Sequence, residues 1–253
     1  VQDAAVVVLD NHQGQVLAYV GSSGDLSEAA QVDHARSLRQ AGSTLKPFLY
    51  ELAIEKRLLT AASLLQDSPL NLPTGNGLYI PQNYDKQFIG WVSARNALAS
   101  SLNIPAVRVL TLLGPASLVE RLRELGLNLR QDGDFYGYSL ALGSADVTLL
   151  ELTNAYRALA NLGQAQAVNV RMDQSMAAFR PVMDPGASWI VGDMLSDRQA
   201  RVLTFGLDSA LSTPFWSAVK TGTSKDMRDN WALGWTEHYT VGVWVGNSAG
   251  QSM

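Results

Sequence analysis

At 253 residues, the chain is long enough for one large domain or two small ones. A composition of 47% hydrophobic and 17% charged residues supports a packed core and excludes a disordered tail, a collagen-like repeat or a coiled coil. Net charge is −4, from 23 acidic and 19 basic residues with no basic run. That argues against nucleic acid as a partner, because a phosphate backbone demands clustered Lys and Arg.

There is no cysteine, so disulfides, thiolate metal sites and thiol nucleophiles are excluded. No stretch approaches the roughly 18–20 apolar residues of a membrane span. The opening Val1-Gln2-Asp3-Ala4 has neither an initiator Met nor the layout of a signal peptide, so the chain reads as a piece of a longer protein whose anchor lies outside it.

In chain order, residues 4–9 form a β-branched run, 10–14 carry turn chemistry and 15–20 form a second strand, which predicts a hairpin. Residues 21–42 read as loop. From Thr44 the apolar residues Phe48, Leu49, Leu52 and Ala53 recur at one-turn spacing, and Pro47 fits a first helical turn. Ser43 therefore lies at or just inside a helix start.

Residues 67–92, broken by Pro69, Pro73, Gly75, Gly77, Pro81 and Gly90, read as irregular. Helical patterns resume near 93–101, 105–113, 115–125, 148–162 and 186–197, the third closed by Gly126. Strands return at 216–221, 230–236 and 239–245. Strands at both ends enclosing a helical middle predict an α+β domain with an antiparallel sheet built from both chain ends.

Three short motifs carry chemistry. Ser43-Thr44-Leu45-Lys46 places an amine one helical turn from a hydroxyl, and a lysine whose pKa is lowered can activate a serine. A second Ser-x-x-Lys, Ser217 to Lys220, falls in a predicted strand, where residues three apart point to opposite faces. Ser101-Leu102-Asn103 taken alone is an ordinary helix end. Lys220-Thr221-Gly222-Thr223-Ser224 closes a strand, and Gly222 lets another backbone approach, as a substrate peptide adding to a sheet edge would.

The order of these motifs, with Ser-x-Asn 58 residues after Ser43, resembles the set found in penicillin-recognising serine enzymes. The residues around them extend the likeness: Ala41 to Phe48, Ser101 to Val107, Lys220 to Ser224, Asp229 to Trp231 and Thr240 to Asn247 are similar to the transpeptidase domain of bifunctional (class A) penicillin-binding proteins. Asn83-Tyr84-Asp85 with Gly90 to Ala94, and Trp231 to Gly234, resemble one subtype of that family. The resemblance covers nearly the whole chain, 1–253, as a single domain of the penicillin-binding protein/β-lactamase-like fold.

The resemblance implies a serine D,D-transpeptidase that cross-links peptidoglycan stem peptides ending in D-Ala-D-Ala and is acylated by β-lactams. It implies Ser43 as nucleophile, Lys46 as acylation base and Ser101 as a proton relay. Asn103 would hold Lys46 and the substrate amide, and Lys220 would supply positive charge. Thr221, Gly222 and Thr223 would bind substrate, with the backbone N–H groups of Ser43 and Thr223 as the oxyanion hole. It implies no metal and no cofactor. The other partners implied are a glycosyltransferase domain in the same full-length chain and, through an anchor outside these residues, the periplasmic face of the inner membrane. Gly143-Ser144 resembles a Gly-Gly turn of the family with its second Gly replaced, so no role is carried over.

Two other readings stay open: a serine β-lactamase, and a sensor that captures β-lactam or stem peptide without turnover. Glu124-Leu125-Gly126-Leu127-Asn128 superficially matches the deacylating Glu motif of class A β-lactamases, but Glu124 closes a predicted helix. His12, His34 and His238 read as surface residues, and Arg121, Arg123 and Arg130 as solvated charges. Trp216, Trp231, Trp235 and Trp244 read as strand residues, mostly core. The family normally continues from its last strand into a helix packed on the sheet, so if that helix is missing an apolar sheet face is expected to be uncovered or filled by a partner.

Overall fold

The computed structural model describes residues 3–75, 77–170 and 176–253. Both ends of this span contribute to one five-stranded antiparallel sheet. Its strands are β1 (Asp3–Asp10), β2 (Val16–Val20), β3 (Ala218–Thr223), β4 (Asp229–Trp235) and β5 (Tyr239–Gly246). They stand in the order β3-β4-β5-β1-β2, so the first and last strands of the chain pair in the middle, Val6 opposite Val243 and Val8 opposite Val241. The two edges are therefore β2 and β3.

The period-2 alternation that predicts these strands decides their faces. Along β1, Ala5, Val7 and Leu9 are fully buried while Ala4, Val6 and Val8 are half-buried. Helix α5 (Leu149–Ala160) packs on the buried side against β1, β4 and β5, and α6 (Pro185–Ser196) packs against β3. Gly242 on β5 makes the α5 contact possible, because a Cβ there would strike the Thr153 hydroxyl. On the other face, Val6, Val8, Ala232, Val241 and Val243 stay half-buried. Residues 247–253 form no helix; Met253 N–H instead donates to Met227 O at 3.2 Å.

The helical middle is built from α1 (Lys46–Glu55), α2 (Ala94–Ala99), α3 (Asn103–Leu113) and α4 (Pro115–Glu124), with a short α7 (Val202–Phe205) near the end. Helices α1 to α6 fall within a few residues of their expected places, whereas α7 was not expected. Helix α1 is buried along nine of its ten residues, which the one-sided stripe seen in the sequence understates. The expected irregular segment 67–92 contains two small ribbons, Leu64–Asp67 with Gly90–Ser93 and Leu72–Thr74 with Gly77–Tyr79. Trp216 and Ser217 precede β3 rather than belonging to it.

Candidate active site

Ser43 lies in a single 3-10 turn, Gly42–Leu45, that runs directly into α1. In a 3-10 turn residues i and i+3 eclipse, so Lys46 rises from the same side of the backbone as Ser43. Glycine makes this turn possible at three contacts. Gly42 has φ of +57°, and a Cβ on it would meet Thr223 backbone atoms of β3. Gly143, with φ of +76°, lies so close that its Cβ would overlap the Gly42 carbonyl, and its own carbonyl accepts from Gly42 N–H at 3.0 Å. Gly222 faces Thr44 and the Ala41 carbonyl. The backbone that Gly222 admits at close range is thus the protein's own Ser43 turn.

The Lys46 amine is fully buried and has three close acceptors: Asn103 Oδ1 at 2.7 Å, Ser101 O at 2.7 Å and Leu102 O at 3.1 Å. Ser101 Oγ is 3.5 Å away. No hydrogen bond joins Lys46 to Ser43 among the described residues. The contact suggested by their spacing is displaced because the α2–α3 turn presents three acceptor oxygens to the Lys46 amine. Ser101 has φ of +60°, a left-handed conformation uncommon for a side chain larger than hydrogen, and this turns its carbonyl onto Lys46.

Lys220 reaches the same place from across the cleft. Its amine, 2% exposed, donates to Ser101 Oγ at 2.7 Å and to Thr221 O at 2.7 Å. The Ser101 hydroxyl thus stands between two lysines. Burial, and next the neighbouring Lys220 charge, hold Lys46 well below the ordinary lysine value. Burial lowers Lys220 to about 7. Thr221 is half-buried, and Thr223 is exposed with its hydroxyl 3.1 Å from Asn230 Oδ1.

A support behind Asn103 was not singled out as functional in the sequence. Asn83 Oδ1 accepts from the N–H groups of Asn103 (3.0 Å) and Ile104 (3.3 Å), capping α3 from outside the helix. Asn83 Nδ2 in turn donates to both oxygens of buried Asp67, at 2.8 and 3.0 Å. Asn103 Nδ2 donates to Gln82 O at 2.8 Å, which fixes the amide so that its oxygen faces Lys46. The sequence signals Asn83 only through the subtype likeness of Asn83-Tyr84-Asp85, which carries no role, because a polar residue in a Pro- and Gly-rich segment is otherwise uninformative.

His34, Arg121 and Trp216 depart from expectation, while Glu124, Ser217 and the other strand tryptophans do not. His34 is fully buried, stacked on Trp244 with ring centroids 4.8 Å apart and 3.4 Å from Asp3, because the 21–42 loop folds back against the sheet. Arg121 is buried and pairs with Glu51 and, at 2.8 Å, with Glu55. Trp216 is 54% exposed, whereas Trp231, Trp235 and Trp244 are buried. Glu124 ends α4, exposed, and its carboxylate faces Arg121 at 3.6 Å. Ser217 bonds Thr213 at 2.8 Å, while Lys220 points to Ser101.

Residues 4–250 match the family model for the penicillin-binding protein transpeptidase domain. The chain belongs to the penicillin-binding protein transpeptidase family. Among curated members it is 40% identical over 249 residues to penicillin-binding protein 1C of Escherichia coli (strain K12), the subtype resembled by Asn83 to Asp85 and Trp231 to Gly234. That alignment covers 97% of this chain and 31% of the relative.

Penicillin-binding protein 1A of Aquifex aeolicus (strain VF5) is 32% identical, over 99% of this chain and 35% of its own length. The chain thus spans about a third of the length of these relatives. Among solved structures, penicillin-binding protein 1A from Haemophilus influenzae superposes with a TM-score of 0.83 at 24% identity, covering 98% of this chain and 43% of that one. PonA1 from Mycobacterium tuberculosis gives 0.80 at 23% identity, over 98% of this chain and 68% of that one. These likenesses establish the α+β penicillin-binding protein fold.

Proposed function

We propose that this chain is the transpeptidase unit of a longer, extracytoplasmic protein, anchored and joined to a glycosyltransferase domain outside these residues, and that Ser43 carries its acyl-enzyme. The observation that supports this best is the meeting of Lys46, Lys220 and Asn103 around Ser101, beside the nucleophile turn. A hydroxyl flanked by one depressed amine and one ammonium can pass a proton in either direction.

In this reading a peptide ending in D-Ala-D-Ala lies along the open edge of β3. Ser43 Oγ attacks the penultimate carbonyl carbon, and its proton passes to Lys46, which exchanges one of its carbonyl partners for the serine as the cleft fills. Hydrogen bonds in an empty site commonly tighten only on substrate binding. The oxyanion is held by the N–H groups of Ser43 and Thr223, worth about 3–4 kcal/mol each. Ser101 then delivers a proton to the nitrogen of the departing D-Ala. Thr221 and Thr223 bind the terminal carboxylate, Gly222 keeps that strand close, Lys220 attracts the carboxylate and Asn103 orients the substrate amide.

The ester persists until an amine displaces it. Glu124 stands in a helix end against Arg121, which disfavours a β-lactamase with Glu124 as deacylating base. The test is to supply the full-length protein with a D-Ala-D-Ala peptide and an amine acceptor. One D-Ala released per amide formed is expected. Hydrolysis alone with fast penicillin turnover would instead indicate a β-lactamase, and no release at all a sensor.

A further inference from the structure

Asp67 ends the ribbon strand Leu64–Asp67, which packs against α3, and it is fully buried. Among the described residues it makes no ion pair. Arg108, a cation on α3, donates to Ser68 Oγ at 3.0 Å instead. A buried carboxylate without a cation is costly unless hydrogen bonds compensate it. Those of the Asp67 side chain all come from one loop: two from Asn83 Nδ2, at 2.8 and 3.0 Å, and one from Ile89 N–H at 2.9 Å. Among the described residues its carboxylate has no hydrogen bond to its own ribbon or to a helix.

The same loop holds Asn103. Gln82 O accepts from Asn103 Nδ2, Asn83 Oδ1 accepts from the N–H groups of Asn103 and Ile104, and Asn103 Oδ1 accepts from Lys46. A side-chain amide has one accepting end and one donating end, and either could face α3. A carboxylate only accepts, so Asp67 draws Nδ2 of Asn83 toward itself and leaves Oδ1 for the two N–H groups. Gln87 O, which accepts from Asn83 Nδ2 at 2.9 Å, favours the same sense. With the amide reversed, an NH2 group would face two N–H donors, and the segment that carries Gln82 could not stay on Asn103.

We propose that Asp67 is a positioning residue for acylation. By fixing the sense of the Asn83 amide it holds loop 82–89 against the start of α3, and so keeps Asn103 Oδ1 on the Lys46 amine. Its own contacts reach neither Lys46 nor Ser43. The role rests on the acyl-enzyme reading above.

The test compares Asp67→Asn, Asn83→Asp and the double exchange in the full-length protein, labelled with fluorescent penicillin. Asp67→Asn sets a donor against a donor, and Asn83→Asp sets two carboxylates face to face. The double exchange restores a donor opposite a carboxylate and still offers a carboxylate oxygen to α3, giving up only the bond to Gln87 O. The acylation rate constant at saturating penicillin, taken over the protein that can be labelled, is expected to fall about 100-fold in each single variant. The double exchange should recover about tenfold of that loss, because the two changes are coupled. A merely structural aspartate would alter the melting temperature and the amount of labelled protein but not this rate constant. A wild-type constant in Asp67→Asn, or a double exchange no faster than either single variant, overturns the proposal. If Asp67→Asn does not fold, the double exchange against Asn83→Asp decides it. If wild-type Ser43 is never acylated, the acyl-enzyme reading fails on its own. Protection of the Asn103 and Ile104 N–H groups from hydrogen exchange then decides the positioning: loss in Asp67→Asn with recovery in the double exchange is expected, and unchanged protection overturns it.

Discussion

Lys220 and Lys46 share the Ser101 hydroxyl, and the proposed mechanism makes opposite demands on them, one as a cation and the other as a free amine. Lys220, lowered to about 7, holds its proton below that pH and loses it above. The second-order rate of β-lactam acylation by the unliganded enzyme is therefore expected to fall as pH rises through about 7, and Lys220→Arg, whose charge persists, to remove that limb. A wild-type rate that is flat from pH 6 to 9 contradicts this assignment. At the neighbouring turn, Gly143→Ala combines a positive φ with a collision against the Gly42 carbonyl. Ser43 labelling by penicillin should drop at least 100-fold, with a stability loss of more than about 1 kcal/mol in chemical denaturation. At this scale the sequence was partly legible. The i, i+3 spacing places Lys46 over Ser43, but which acceptor takes the amine depends on a turn 55 residues away. Gly143 was visible as a glycine, while its partner Gly42 was not deducible.

Helices α1 and α4 are joined by Arg121 between Glu51 and Glu55. Burial pushes the Glu51 carboxyl from 4.5 up to about 8, against the opposing pull of Arg121. The folded state thus keeps a proton that the unfolded chain has released between those values, so stability is expected to decline as pH rises from 5 to 8. Glu51→Gln should flatten that slope in a series of thermal melts; an identical slope in the variant would refute the attribution. Asn83→Ala removes the donor of two bonds to buried Asp67 and the cap of α3. The expected cost is about 2–3 kcal/mol, measured as a shift in urea midpoint, together with weaker acylation at Ser43. Helix extents were readable because apolar periodicity and Pro or Gly at the ends are local signals. The burial of Arg121 was not, because its partner Glu51 lies 70 residues away and a charged helix face looks solvated until that partner is known.

For the whole molecule, joining both chain ends in one sheet is what brings Lys220 opposite Ser43 and Ser101. Alternating strands at either end with helices between them made this architecture legible, and the family match over residues 4–250 agrees with it. The exposed Trp216 was misread because strand β3 begins two residues later than its composition suggests. The most direct test of the site as a whole is to label the full-length protein with a fluorescent penicillin and map the adduct by mass spectrometry. A single long-lived adduct on Ser43, lost in Ser43→Ala, is expected; an adduct on Ser217 or any other residue, or one that turns over within seconds, would contradict the account.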